Sequence, residues 1–214
     1  MTHMETDMPK KLTRREIIFQ GALYGGTLWL LGGTPRPLTA RAAEESEATA
    51  VLTAAEWETV EAITGRIIPT DHEPGAIEAN CVNFIDKALL HEDTDLRPTY
   101  EEGIRGLDAV SRHRFGKRFA ELSTVDQDAI LTIIASSAPD TGWPAGELTQ
   151  HKFFETVREH TVIGFLADPK YGGNRDYVGW KVVGYPGPQH PRGGFTTAQM
   201  IGEEEITPIW DQDP

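Results

Sequence analysis

The 214-residue sequence contains a single cysteine and lacks the common motifs for redox cofactors. One cysteine cannot form an internal disulfide, and it cannot supply the roughly four thiolates that hold an iron–sulfur cluster. The sequence has no CxxCH motif for covalent haem and no GxGxxG or GxxxxGK[ST] loop for a nucleotide phosphate. A redox role would therefore depend on a cofactor that another protein carries.

Basic residues are also scarce, since 20 Lys and Arg stand against 33 Asp and Glu, a formal net charge of −13. A nucleic-acid-binding protein needs a basic face to neutralise phosphates, so we do not expect a nucleic-acid partner. The one basic cluster lies at residues 112–118. We interpret it as a solvated helix end, where the helix dipole favours cations, with docking of an acidic partner as the alternative.

Long hydrophobic runs are missing as well. The apolar stretch Ile17–Leu31 is shorter than the about 20 residues that span a membrane. It follows a basic segment that contains Arg14 and Arg15, and it precedes an A-x-A pattern at residues 40–42, as in a cleavable secretory signal. The arginine pair resembles a twin-arginine export motif. We expect residues 1–42 to be a twin-arginine signal peptide and the mature chain to be periplasmic, with an uncleaved N-terminal anchor as the alternative.

Strand signals are rare, whereas helix signals recur through residues 43–170. Thr53 and Glu56 form a capping box, Pro98 suits a first helical turn, and Ser123 suits an N-cap. Apolar residues at helical spacing predict an all-α fold, a bundle of about five helices with a long irregular C-terminal arm. The predicted helices run from Thr53 to before Pro69, from near Pro74 with Ile77 and Cys81 on the apolar stripe, from Pro98 to Phe115, from Ser123 past Ile134, and through Phe153 and Phe165 to Asp168.

The composition changes after residue 170. Residues 171–214 hold eight of the 21 glycines, five of the 14 prolines and six aromatic side chains, and within them only residues 176–183 suit a short helix. A solvated tail is rarely so aromatic, and Tyr, Trp and Arg dominate interface energetics. For residues 171–185, contact with a partner protein and folding back over the bundle are both open. For residues 186–214 we favour a partner.

The residues suggest no catalytic or metal site. The sequence Asp71-His72-Glu73 could serve a metal or acid–base site, but we interpret it as a polar turn before the next helix. Cys81 lies on an apolar stripe and is interpreted as a buried, inert thiol. The densest polar constellation, residues 168–176, has glycines that permit positive φ, but no nucleophile or redox centre. We expect it to be a rigid loop that presents a surface.

At this loop the sequence closely resembles the gluconate 2-dehydrogenase subunit 3 family. The resemblance is carried by FLADPKYGGNRD at residues 165–176, VGWK at 178–181 and GYPG at 184–187. IIPTD at 67–71 and PGA at 74–76 match an earlier motif of that family. The resemblance spans roughly residues 50–188, and the twin-arginine leader is also typical of the family.

This resemblance implies a small, non-catalytic subunit of bacterial flavin-dependent sugar, polyol or sugar-acid dehydrogenases. It implies a large flavoprotein partner that resembles glucose–methanol–choline oxidoreductases and carries FAD, in some cases with an iron–sulfur cluster. In such complexes a cytochrome c subunit with haem c often takes the electrons. The large subunit commonly lacks an export signal and travels with the small one.

We therefore expect an accessory, chaperone-like subunit without a cofactor of its own, which helps the flavoprotein to mature and directs it through the twin-arginine translocon. Arg14 and Arg15 would engage the translocon. Partner-binding residues are predicted in the arm: Tyr171, Asn174, Arg175, Trp180, Tyr185 and Trp210. One alternative is a free-standing periplasmic ligand-binding protein or enzyme with Asp71, His72, Asn174 and Arg175 in a pocket. Another is a subunit that also completes its partner's substrate cleft.

Overall fold

The structure, a computed structural model, describes residues 51–136, 141–189 and 193–211. These ranges are helical and contain no strand, so the predicted all-α fold is confirmed. They belong to one compact unit, Glu44–Pro214. The predicted signal peptide, with Arg14 and Arg15, lies outside the described residues.

Five longer helices build the bundle, and two short ones follow in the arm. None of the helices in the described ranges is both long and apolar enough to cross a lipid bilayer. In chain order they are α1 (Ala54–Ile67), α2 (Cys81–Leu90), α3 (Arg97–Phe115), α4 (Thr124–Ala135), α5 (Gln150–Leu166), α6 (Val178–Val183) and α7 (Thr197–Met200).

The capping residues begin their helices as the sequence predicts. At the start of α1 the Glu56 carboxylate accepts the Thr53 backbone N–H at 2.8 Å, and the Thr53 hydroxyl accepts the Glu56 N–H at 3.3 Å. The Ser123 hydroxyl accepts the Asp126 N–H at the start of α4, and Pro98 lies in the first turn of α3. Each cap satisfies a backbone donor that the helix itself leaves unpaired.

The predicted start of α2 near Pro74 is wrong, because the helix begins at Cys81. Residues 76–80 form turns instead, and Asn80 has a left-handed φ of 57° that interrupts the helical path. Ile77, which the sequence placed on the apolar stripe, is 49% exposed. Phe115, predicted on the apolar face of α3, is the last residue of that helix and is 39% exposed.

Helix α5 lies at the centre of the bundle and packs against α1, α2, α3 and α4. Phe153, Val157 and Phe165 of α5 are completely buried. The ring of Phe153 occupies the position where a Cβ on Gly103 of α3 would lie, so this glycine lets the two helices approach closely. The C-terminal end of α5 is therefore fixed by the core, and it forms a rigid base for the segment that follows.

A buried polar pair connects α3 with α5. The Tyr100 hydroxyl lies 2.9 Å from Nδ1 of His160, and the two rings stack with their centroids 5.8 Å apart. Nε2 of His160 lies 3.5 Å from a carboxylate oxygen of Asp93. Burial lowers the pKa of His160, while the charges of Asp93 and Glu159 act in the opposite direction. In the neutral imidazole, Nδ1 can accept a hydrogen bond from the Tyr100 hydroxyl while the Nε2–H points toward Asp93.

We expect the free energy of unfolding to decrease as the pH falls through about 6.5, the ordinary pKa of histidine. The unfolded chain takes up a proton on His160 near that pH, whereas the folded chain takes it up only at a lower pH. Stability is therefore lost between the two pKa values and then levels off. Urea unfolding midpoints measured across this pH range test the expectation. His160→Gln should reduce the pH dependence and exposed His72→Gln should retain it, and equal slopes in both variants would contradict the assignment.

Candidate partner-binding surface

The structure brings together two segments: residues 67–80, which contain the earlier motif at 67–71 and 74–76, and residues 168–187. We call these two segments the motif regions. The Arg175 backbone N–H donates to the Ala79 carbonyl at 3.1 Å, and Nε of Arg175 donates to the Glu78 carbonyl at 3.2 Å. The Asn83 amide on α2 donates to the Gly172 carbonyl at 2.7 Å. These bonds hold residues 168–187, hereafter the motif loop, against the N-terminal end of α2.

The motif loop also closes the C-terminal end of α5. A helix leaves its last carbonyls without intrahelical partners, and a buried carbonyl without a donor is costly. The Trp180 indole N–H donates to the Leu166 carbonyl at 2.6 Å, and the Asn174 amide donates to the Ala167 carbonyl at 2.8 Å. The Asn174 amide oxygen accepts the Gly179 N–H at 2.8 Å. Asn174 and Trp180 thus act as the cap of α5.

Two glycines of the motif loop allow its backbone to touch α5. A Cβ on Gly173 would overlap the Gly164 carbonyl oxygen, and a Cβ on Gly179 would overlap the Phe165 carbonyl oxygen. Both obstacles are backbone atoms of a packed helix and cannot move aside as a flexible side chain can. Any side chain at position 173 or 179 would therefore clash with the backbone of α5, so both positions require glycine.

The backbone of the two motif regions is unusually constrained. In the described ranges, the non-glycine residues with positive φ are Asn80, Asn174, Asp176 and Tyr177, and all lie in these two regions. Left-handed conformations are costly for residues with a Cβ, and they persist where surrounding contacts enforce them. Such strain is frequent at functional sites, which makes the motif loop the first candidate for function.

The polar turn at residues 71–73 has the local structure that the sequence suggested. A carboxylate oxygen of Asp71 accepts the Glu73 N–H at 2.9 Å, and the His72 side chain is 83% exposed. The Glu78 carboxylate accepts the Thr70 hydroxyl and the Gly75 N–H, which ties residues 70–78 into one turn. Across the described parts of the chain, no three His, Cys, Asp or Glu side chains are placed to hold a metal ion.

Cys81 and the basic cluster also have local explanations. Cys81 is completely buried at the start of α2, and burial raises the pKa of its thiol to about 12, which agrees with an inert thiol. Arg112 binds Asp108 at 3.0 Å, and Arg118 binds Glu121 at 3.1 Å. Arg112 lies in the last turn of α3 and Arg118 lies three residues beyond its end, and both fit the interpretation as a solvated helix end.

The predicted partner-binding residues divide into buried and exposed groups. Asn174 is 0% and Trp180 6% exposed, and both bind the backbone of their own chain, so their side chains are occupied internally rather than offered to a partner. With Asn174 buried, its side chain is not available to line a pocket with Asp71 and His72. Tyr171 and Tyr185 are 41% and 40% exposed, and Arg175 is exposed. Partner binding by these three stays a prediction.

Four aromatic residues of the arm form a row of contacts around α6. The Tyr185 and Trp180 rings meet edge-on at 5.1 Å, Trp180 stacks on Tyr177 at 5.5 Å, and Tyr177 contacts Trp210 at 5.5 Å between centroids. Within residues 171–185, Trp180 therefore packs inside its own chain while Tyr171 and Tyr185 stay exposed, and contact of this segment with a partner stays a prediction. Sequence reasoning missed Tyr177, which links this row of rings to Trp210.

Comparison with known proteins agrees with the position of the two motif regions. The family model described as gluconate 2-dehydrogenase subunit 3 matches residues 54–187. The match runs from the start of α1 to the last glycine of the motif loop and so includes both motif regions. Searches of curated proteins and of solved structures found no match.

Proposed function

Because the chain belongs to the gluconate 2-dehydrogenase subunit 3 family, we propose that it is the non-catalytic small subunit of a periplasmic, FAD-dependent sugar or polyol dehydrogenase. The family places the chain in a multi-subunit dehydrogenase. In our proposal, FAD belongs to a large partner of the glucose–methanol–choline type. A cytochrome c subunit with haem c is the proposed electron acceptor in the same assembly. This chain supports maturation and export of the flavoprotein.

One observation carries the proposal: the motif loop is held rigidly by its buried residues while other members remain exposed. Asn174 and Trp180 cap α5, and Gly173 and Gly179 allow close backbone contact. A surface that is already ordered loses little conformational entropy when a partner binds. A loop with this construction suits a permanent protein interface.

The exposed members of the motif loop have the chemistry of interface residues. Tyr171 and Tyr185 are rigid aromatic side chains, each about two-fifths exposed. Nε of Arg175 is bonded to the Glu78 carbonyl, which orients the guanidinium and leaves its terminal N–H groups for a carboxylate of the flavoprotein. We propose that Tyr171, Arg175 and Tyr185 contact the flavoprotein, and that the buried residues support them.

The export role depends on Arg14 and Arg15. We expect that replacing both with lysine, in a strain that also produces the flavoprotein, leaves active flavoprotein in the cytoplasm and little in the periplasm. The twin-arginine pathway reads the arginine pair itself rather than its charge. Dehydrogenase activity in separated cell fractions is the measurement. Replacing Lys10 and Lys11 with arginine is the matched control and should preserve export. Active flavoprotein in the periplasm without this chain would contradict the proposal.

A further inference from the structure

The last described residues of the chain occupy a seat on the motif loop. We define the seat as Tyr177, Lys181, Pro186 and Gly187, and the tail as residues 208–211. The Trp210 ring lies against the Tyr177 ring with a centroid separation of 5.5 Å and a tilt of 33°, and Nζ of Lys181 lies 5.4 Å from the Trp210 centroid. The Ile209 N–H donates to the Pro186 carbonyl at 2.9 Å.

The seat makes a different contact with each of two consecutive tail residues, Ile209 and Trp210. Gly187 has a φ of +87°, and a Cβ there would come within 2.7 Å of the Ile209 side chain, so the missing Cβ makes room for a branched aliphatic residue. The next residue, Trp210, meets an aromatic face and a cation. The carbonyl of Pro186 fixes the peptide backbone between the two. The seat therefore fits a peptide in which a β-branched aliphatic residue precedes an aromatic one.

Three features indicate that the tail is a displaceable occupant. The seat lies inside the family match, which ends at residue 187, whereas the tail lies outside it. Trp210 stays partly exposed in the seat. Bringing the tail to the seat also closes a loop of more than 20 residues, and the entropy of loop closure opposes that contact.

The connecting segment is itself incompletely packed. Phe195, Met200 and Ile201 are 42%, 68% and 63% exposed, and α7, which carries Met200, has only four residues. These side chains therefore contribute little apolar packing that would hold the segment in place when the tail leaves the seat. Release of the tail would uncover one face of the Tyr177 ring, next to the Lys181 side chain, which is exposed already.

We propose that the seat is a peptide-binding site for the flavoprotein subunit, and that the tail fills it in the free subunit. This inference rests on the proposed function. The flavoprotein supplies an extended segment with a β-branched aliphatic residue followed by an aromatic one, and that segment replaces Ile209 and Trp210. The tail thus keeps the face of the Tyr177 ring beside Lys181 covered until the partner binds.

The first experiment tests the seat without the partner. A fluorescently labelled peptide with the sequence of residues 206–211, ITPIWD, is titrated into the full chain and into its Trp210→Ala variant. We expect saturable binding to the variant and at least about tenfold weaker binding to the wild type, because the attached tail competes at a high effective concentration. The peptide ITPIAD is the matched control and should not bind.

Two further variants test whether peptide binding depends on release of the tail and on the cation of the seat. Ile209→Ala weakens the tail by a different contact and should also admit the peptide. Adding Lys181→Ala to Trp210→Ala should weaken peptide binding again, because the cation is lost from the seat. The absence of peptide binding to both tail variants, or equal binding to wild type and variants, would overturn the proposal.

The second experiment measures binding of the purified flavoprotein to the same full-length proteins. We expect Trp210→Ala to bind at least about tenfold more tightly than the wild type, because the same small fraction of free wild-type seats limits the binding of peptide and of flavoprotein. Equal or weaker binding would overturn the exchange and show that the tail is a bystander or part of the interface. Peptide binding combined with no flavoprotein binding by any variant would instead refute the proposed function and the flavoprotein as occupant.

Discussion

Replacing Gly179 with alanine is expected to lower the free energy of unfolding by about 3 kcal/mol and to abolish binding of the flavoprotein. The new Cβ would overlap the carbonyl oxygen of Phe165, a residue whose side chain is completely buried in the core. The clash can be relieved only if the motif loop moves away from α5. That movement would also break the hydrogen bond from the Gly179 N–H to Asn174.

Gly184→Ala is the matched control for this prediction. Gly184 lies just after α6 and has a φ of +73°, and a Cβ added there would meet no atom within 4 Å. Its substitution should cost only the about 1–2 kcal/mol of a left-handed backbone. Urea unfolding and flavoprotein binding of both variants provide the comparison. Equal destabilisation by the two substitutions would contradict close packing of the motif loop on α5.

The second large effect is expected at Asn174. Asn174→Ala should lower the free energy of unfolding by about 2–4 kcal/mol, because it removes two hydrogen bonds and leaves a partly buried carbonyl and a buried N–H without partners. It also places alanine in a backbone with a φ of 45°. We expect weaker flavoprotein binding to follow, since the loop that carries Tyr171 and Arg175 loses its support.

Asp176→Ala separates the loss of the Asn174 hydrogen bonds from the cost of alanine in a left-handed backbone. Asp176 lies in the same loop with a φ of 56°, and its side chain is exposed. Its substitution carries the backbone cost of about 1–2 kcal/mol without the loss of buried hydrogen bonds. The difference between the two variants in urea unfolding measures the contribution of the Asn174 amide. If Asp176→Ala destabilised the chain as much as Asn174→Ala, the capping role of Asn174 would be wrong.

The bundle could be predicted from the sequence because its signals are local. Thr53 and Ser123 cap their helices through residues three positions ahead, and Pro98 begins a helix by its own fixed φ. The start of α2 could not be predicted in this way. Gly75 lies so close to the Ile68 carbonyl that a Cβ would overlap it, and Asn80 adopts a left-handed φ of 57°, and the spacing of apolar residues indicates neither feature.

The candidate surface was predictable in position but not in detail. The motif residues are adjacent in sequence, yet Asn174 is buried and Arg175 is exposed. The Asn174 side chain is buried because it forms hydrogen bonds with the Ala167 carbonyl and the Gly179 N–H. These groups come together only in the folded loop, so the sequence does not indicate the burial. The contact between Tyr177 and Trp210 joins residues 33 positions apart, and no sequence pattern predicts it.

We propose that this chain binds a flavoprotein and carries no redox cofactor itself. The most direct measurement is affinity purification of the tagged full chain, with and without the co-expressed flavoprotein, followed by an absorption spectrum and a dehydrogenase assay of each eluate. We predict a flavin spectrum and dehydrogenase activity only in the eluate that contains both proteins, in a fixed ratio. Flavin or turnover in the eluate of the chain alone, or failure of the flavoprotein to co-purify, would contradict the account.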